Sequence, residues 1–156
     1  MARAGRTQRN DGVVKMTGDC IVSRWLDEGR DYLWNNLASA FIADFSYNDG
    51  HTIICPDDHI ESIDDIDKPT GAAMYDLALE VARRIKDKLN PAYLMIYQNS
   101  GLLEYEIEKP TKHFAHVHIQ VVPSYKGREI HTNIKDVGKR WIDEEARNGM
   151  EDLLRR

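Results

Sequence analysis

Along residues 70–89 the apolar positions fall at Ala73, Met74, Leu77, Ala78, Val81, Ala82, Ile85 and Leu89. That is the i, i+3, i+4, i+7 stripe of a single helix face. It predicts a helix from about Thr70 to Leu89, with Thr70 as N-cap and Asn90-Pro91 as its stop. The other apolar runs are shorter and carry a different period. His51-Thr52-Ile53-Ile54-Cys55-Pro56 is β-branched and closed by proline, which predicts a strand. Leu37 to Phe45, Ala92 to Tyr97, and His113 to Val122, stopped by Pro123, are read as three further strands. Ser46-Tyr47-Asn48-Asp49-Gly50 supplies turn chemistry after the first strand, and Asn99-Ser100-Gly101 breaks the third. Cys20 to Leu26 reads as a short helical turn. The tail, Asp136 to Arg156, reads as helical, with Trp141, Ile142, Met150, Leu153 and Leu154 as its apolar members.

Strands joined by short turns, with one long helix across them and a helical tail, give an α+β fold with an antiparallel sheet. The 156 residues fit one domain. We place a flexible polar arm at residues 1–17 and a single folded domain at 18–156. The arm carries Arg3, Arg6 and Arg9 but no apolar block, so it does not read as a secretory signal.

Charge and composition narrow the partners. A net charge of -5 argues against holding nucleic acid by wholesale phosphate neutralisation. A small nucleotide, which needs only a few local donors, stays open. Two cysteines, Cys20 and Cys55, are too few for a disulfide framework, so free thiols and a cytoplasmic location are expected. No apolar run approaches the roughly 20 residues of a membrane helix, and no membrane association is expected.

Chemistry concentrates in His116-Val117-His118-Ile119-Gln120-Val121-Val122-Pro123. On a strand, alternate side chains share a face. His116, His118 and Gln120 therefore point one way, and Val117, Ile119 and Val121 the other. The second set is an ordinary core face. Three polar groups in a row need partners or solvent, and they suit a sheet surface that opens into a ligand site. From the residues alone three readings remain: satisfied structural polar groups, a metal site built on the His-x-His pair, and catalysis at phosphorus.

Four ordered segments then carry a resemblance. The strand resembles the His-x-His-x-His signature of the histidine triad superfamily. Gly50-His51-Thr52-Ile53-Ile54-Cys55-Pro56-Asp57-Asp58-His59 resembles its Gly-His-Thr, apolar strand, Pro-x-x-His pattern. Asn99-Ser100-Gly101 resembles its Asn-x-Gly turn, and Cys20-Ile21-Val22-Ser23 its Cys-x-x-Cys with the second cysteine replaced. The resemblance implies a nucleotide hydrolase or nucleotidyltransferase acting at the α-phosphate, with His118 as the nucleophile and a nucleotidyl-histidine intermediate. It also implies His116 and Gln120 as catalytic partners, His51 as support, and Asn99 and His113 as phosphate contacts. Asp44 would meet the ribose, while Ile21, Trp25 and Phe41 line the base pocket or belong to the core. A homodimer formed by strands and the long helix is implied too.

The departures matter as much. Gln120 stands where the third histidine belongs, a pattern similar to the nucleotidyltransferase branch, whereas the chain length suits the small hydrolases. Glutamine has no titratable proton, so it can hold a phosphoryl oxygen but cannot act as general acid. That suits leaving groups needing little protonation, such as phosphate, pyrophosphate or a sugar phosphate. The prolines usual after the first strand are replaced by Tyr47-Asn48-Asp49, and Lys112 and His113 stand where the family carries Gln and a small hydroxyl residue. No cofactor is required by this scheme. A zinc ion, implied only for members that keep both cysteines, would draw on Cys20 and His59, with Ser23, a poor zinc ligand, in place of the second thiolate. The other readings are a nucleotide-binding module without catalysis and a metal-dependent enzyme using the His-x-His pair.

Overall fold

The computed structural model describes residues 20–99, 116–128 and 140–156. The arm expected at 1–17, together with Lys112 and His113, lies outside the described residues. The elements run α1 (Ile21–Asp27), β1 (Leu33–Trp34), β2 (Ala38–Ile42), β3 (Phe45–Ser46), β4 (Thr52–Pro56), a 3-10 turn (Ile63–Asp65), α2 (Lys68–Leu89), β5 (Tyr93–Asn99), β6 (His118–Ser124), β7 (Arg140–Trp141) and α3 (Glu144–Arg155). Five strands form one antiparallel sheet in the order β1-β2-β4-β6-β5, and β3 and β7 form a two-stranded ladder. This is the α+β fold expected, with one long helix across the sheet. No helix among the described residues is long and apolar enough to cross a membrane.

The sheet has two unlike faces. Ala38, Ala40, Ile42, Ile54, Ile119 and Val121 pack with Met74, Leu77, Ala78, Val81 and Ile85 of α2 into the main core. Each large side chain so buried contributes roughly 1.5–3 kcal/mol. On the other face Phe41, Ala43, Ile53 and Cys55 meet Val22 and Trp25 of the short helix α1. That second cluster is smaller and leaves the β6 end of the face to polar residues.

Several boundaries differ from the sequence reading. The cap of α2 is Asp67, not Thr70. Its carboxylate accepts the Thr70 N–H at 2.8 Å, and Pro69 fits the first turn, where a missing N–H costs nothing. The helix ends as expected at Asn90, whose φ of 45° is a left-handed cap ahead of Pro91. β6 runs through Pro123 to Ser124 instead of stopping at it. The Pro123 carbonyl accepts from Asn48 Nδ2 at 3.0 Å, on the β4 side, where the ladder has already ended at Thr52↔Val121. No ladder bond is lost there, so proline is tolerated. The tail is not one helix. Trp141 belongs to β7 and Ile142 follows it, because Asp143 starts α3 by accepting the Ala146 N–H at 2.8 Å. Leu37 to Phe45 likewise splits into β2 and β3 around Ala43-Asp44. The two-residue strand β1 was not anticipated.

α3 closes the core through Leu154, which is fully buried. Arg84 of α2 donates to the carbonyls of Leu154 and Arg155 at 2.9 and 2.7 Å, satisfying acceptors that a helix end leaves open.

Candidate active site

β6 is paired on both sides, which fixes where its side chains stand. His118 lies opposite Asn99 of β5, and Gln120 lies between Tyr97 of β5 and Ile53 of β4. Ile53 in turn faces Phe41 of β2. Directly opposed residues of an antiparallel pair share a face. Phe41, Ile53, Gln120 and Tyr97 therefore form one row across four strands, on the face away from α2.

Hydrogen bonds define the protonation of each group. His118 Nδ1 lies 2.8 Å from the His116 carbonyl, which only accepts. The proton of neutral His118 is therefore on Nδ1, and Nε2 carries a bare lone pair. Gln120 Nε2 lies 3.3 Å from His118 Nε2. At the other end of that amide, Gln120 Oε1 lies 2.9 Å from His51 Nε2 and accepts from the Tyr97 hydroxyl at 2.9 Å. His51 Nδ1 accepts the Tyr47 N–H at 3.2 Å, so Nε2 of His51 is the donor. The two ends of Gln120 agree: its oxygen faces His51 and Tyr97, and its NH₂ faces His118. Both His118 and Gln120 are 6 % exposed.

His116 stands just before β6. Its Nε2–H donates to the Pro56 carbonyl at 3.0 Å, leaving Nδ1 to accept from the Cys20 thiol at 3.3 Å. Burial holds the His116 pKa below its usual value, against the raising influence of the Pro56 and Asp58 backbone and of Asp57. His59 packs edge-on against it, with ring centroids 5.0 Å apart.

Cys20, His59 and His116 offer one ligand atom each, and these atoms lie within 4.8 Å of one another. His59 Nδ1 is buried and has no hydrogen-bond partner among the described residues. His116 presents Nδ1 with its other nitrogen held by a backbone carbonyl, as a metal-bound imidazole usually is. The donor set therefore fits a divalent soft or borderline ion with three protein ligands. His118 is not part of this group, so the His-x-His pair does not converge on one ion.

The remaining expected residues divide. Ile21, Trp25 and Phe41 do lie on the His118 face, but Trp25 and Phe41 are packed together, with ring centroids 5.5 Å apart and little exposure. Ile21 stands at the margin of that cluster. Asp44 is held by Arg30, at 2.6 and 3.1 Å to its two oxygens, and by Arg147 of α3 at 3.3 Å. A ribose hydroxyl would share this carboxylate with two guanidinium groups. Asn99 ends β5 beside His118 through its backbone. His113 lies outside the described residues.

Sequence reasoning missed Tyr97, whose hydroxyl reaches Gln120, and Arg30, which ties up Asp44. Tyr97 could have been found: it stands two residues before Asn99, as Gln120 stands two after His118, so an Asn99–His118 pairing sets Tyr97 against Gln120. A cleft of about 340 Å³ between the start of α2 and the β5–β6 edge has Ile119 and Gln98 in its lining. It lies on the helix side of the sheet, away from His118.

A model of the HIT domain matches residues 33–127, more than half of the chain. An uncharacterized HIT-like protein of Mycoplasma pneumoniae is 31% identical over 110 residues, covering 70% of this chain and 72% of that protein. Among solved structures, a hypothetical histidine triad nucleotide-binding protein of Sulfolobus tokodaii aligns with a TM-score of 0.69 at 17% identity, over 87% of this chain and 89% of the other. A zinc-bound histidine triad family protein of Mycobacterium smegmatis aligns with a TM-score of 0.63 at 19% identity, over 86% and 92%.

Proposed function

The chain belongs to the histidine triad (HIT) family, and from that premise we propose that it cleaves nucleotides or nucleotide conjugates at the α-phosphorus through a nucleotidyl-His118 intermediate. The observation that carries this reading is the His118 tautomer. With Nδ1–H on the His116 carbonyl, the Nε2 lone pair faces the site without prior deprotonation. Nε2 forms a bond to phosphorus while the bond from phosphorus to the leaving oxygen breaks, and the electron pair departs with that oxygen. A water or phosphate oxygen then attacks phosphorus, the N–P bond breaks, its electron pair returns to Nε2, and an attacking water loses its proton to solvent.

Gln120 is the electrostatic partner in both steps. The amide N–H that rests on His118 Nε2 in the free protein moves to a phosphoryl oxygen as Nε2 is engaged. Asn99 and His113 are proposed as further phosphate contacts, and Asp44 as a ribose contact shared with Arg30 and Arg147. Because Gln120 supplies no proton, leaving groups of low basicity are favoured, such as pyrophosphate or a sugar phosphate. Intact-mass measurement after incubation with nucleoside triphosphates, dinucleoside polyphosphates, nucleotide sugars and a nucleoside phosphoramidate tests this. A mass increase of one nucleoside monophosphate is expected. No adduct and no turnover with any of them would reject the nucleophile assignment in favour of a binding module.

Zinc, where bound, would be held by Cys20, His59 and His116 and would tie the start of α1 to the start of β6. It supplies a structural clamp there, and the chemistry at His118 does not depend on it. On dialysis against zinc, wild-type protein is expected to retain one equivalent, and His59→Ala to bind at least about tenfold more weakly. Equal retention by both would remove the site.

Tyr75 and Leu79 on α2 and Ile96 on the edge strand β5 are exposed apolar side chains. They support a homodimer through the helix and that strand, and sedimentation at micromolar concentration is expected to give twice the chain mass. A monomer at all concentrations would rule it out.

A further inference from the structure

We propose that Tyr47 and Tyr97 are positioning residues that lock the Gln120 carboxamide with its NH₂ group toward His118; this deepens the reading above and rests on it. A glutamine side chain has two ends of nearly the same shape and opposite hydrogen-bonding character. In an active site that symmetry is a hazard. One orientation offers N–H donors to an anionic phosphoryl group, and the other offers a lone pair that repels it.

Two hydrogen-bond routes reach Gln120 Oε1, one from the Tyr47 backbone through His51 and one from the Tyr97 hydroxyl. The Tyr47 backbone N–H donates to His51 Nδ1 at 3.2 Å, and the far nitrogen of His51 contacts Gln120 Oε1 at 2.9 Å. A backbone N–H can only donate, so this bond fixes the His51 tautomer and makes His51 Nε2 a donor to Gln120. The Tyr47 ring also stacks on His51, with centroids 5.5 Å apart and an interplanar angle of 26°. On the second route the Tyr97 hydroxyl gives its proton to Gln120 Oε1 at 2.9 Å.

Both lone pairs of Oε1 are therefore filled, by a His51 N–H whose direction is set from the Tyr47 backbone and by the Tyr97 hydroxyl. Turning the amide over would place NH₂ against the His51 N–H and Oε1 against the His118 lone pair, and would take the acceptor away from the Tyr97 hydroxyl. The contacts at 2.9 Å to His51 and 3.3 Å to His118 would fail together, and the Tyr97 hydroxyl would have to turn its proton away. A proline at position 47 would have neither the N–H for His51 nor the ring stacked on it. Tyr47 and Gln120, two departures from the family pattern noted in the sequence, thus meet in one network.

The test uses full-length protein labelled with ¹⁵N-glutamine. Gln120 is one of three glutamines in the chain, and its side-chain pair is assigned by its loss in Gln120→His. In wild type a slowly exchanging NH₂ pair with a cross-peak to the His118 ring is expected. Tyr97→Phe and Tyr47→Pro should each speed its exchange at least tenfold and weaken the cross-peak. An unchanged pair in folded Tyr97→Phe would overturn the lock. Thermal melting identifies any misfolded variant, and Tyr97→Phe, which removes one oxygen, carries the test where Tyr47→Pro fails to fold.

Kinetics supply the second readout. Tyr97→Phe should lower kcat about tenfold with KM little changed, and the loss should vanish when Tyr97→Phe is placed in Gln120→His, because an imidazole has no amide to turn. Equal losses in both backgrounds would assign Tyr97 to general structure and overturn its positioning role. If no substrate is turned over but the amide responds as stated, the lock stands and the nucleophile reading falls.

Discussion

His118→Ala is expected to lower turnover of any accepted substrate by at least about 10⁴-fold and to abolish the nucleotidyl adduct. The nucleophile and the groups around it act as a unit, and removing the attacking atom forfeits the covalent route entirely. What survives is binding and the electrostatic contribution of Gln120 and its neighbours. The fold should tolerate the change, because His118 makes its fixed bond to the carbonyl of His116, in its own strand segment, and leaves the main core on the other face intact. Nucleotide affinity measured by calorimetry should therefore change by less than about tenfold while the chemical step disappears. Turnover within tenfold of wild type in the variant would reject His118 as the nucleophile.

Gln120→Glu is expected to be nearly as damaging, with a loss of about 10³-fold, although it changes one group of equal size. The carboxylate oxygen facing His51 and Tyr97 would keep both donors. The other oxygen would replace the NH₂ that lies 3.3 Å from His118 Nε2. A negative oxygen at that point draws a proton onto Nε2 and removes the lone pair that attacks phosphorus. It also sets a negative charge against the phosphoryl oxygens, where a donor is worth about 10²–10³-fold in rate. Gln120→His should be much milder, since an imidazole can still donate to the phosphoryl group. Burst-phase measurement of adduct formation checks both, and equal rates in Gln120→Glu and wild type would show that Gln120 does not face the reacting group.

The parts of this fold that were legible in the sequence are those where a short-range rule has one outcome. The stripe of α2 and its Asn90-Pro91 stop leave no alternative to a helix, and the alternation across His118, Ile119 and Gln120 assigns the two faces of β6. The cap at Asp67 was misread because Thr70 is also a good cap residue, and the choice between them is made by Pro69. The end of β6 was misread because the effect of Pro123 depends on what lies beside it, here the end of β4. Trp141 and Ile142 look like helix members by period, yet β3 lies free to pair at that point.

The site shows the same division. His118, Gln120, His116 and His51 come together as their motifs imply, since all four lie on or beside β4 and β6. Asp44 was chosen by its place in the chain, and no local rule foretells that Arg30 and Arg147, from segments 14 and 103 residues away, hold it. Tyr97 was silent for a related reason. A tyrosine on a strand looks like any half-buried aromatic until the register across β5 and β6 is known.

The double pairing of β6 also bears on how this chain can vary in length. His118 to Ser124 is held against β5 along its whole length and against β4 at Ile119, Gln120 and Val121. Loss of a single codon between Ile119 and Val122 would invert the faces of everything on one side of the gap. Either the imidazole would turn into the apolar core or Val121 would turn out to the face that His118 now occupies, and no neighbouring side chain could compensate. The reading frame of seven residues is thus a stricter constraint than the identity of several of them: substitutions at Val121 or Val122 that keep an apolar group are bearable, whereas an insertion or deletion there is not.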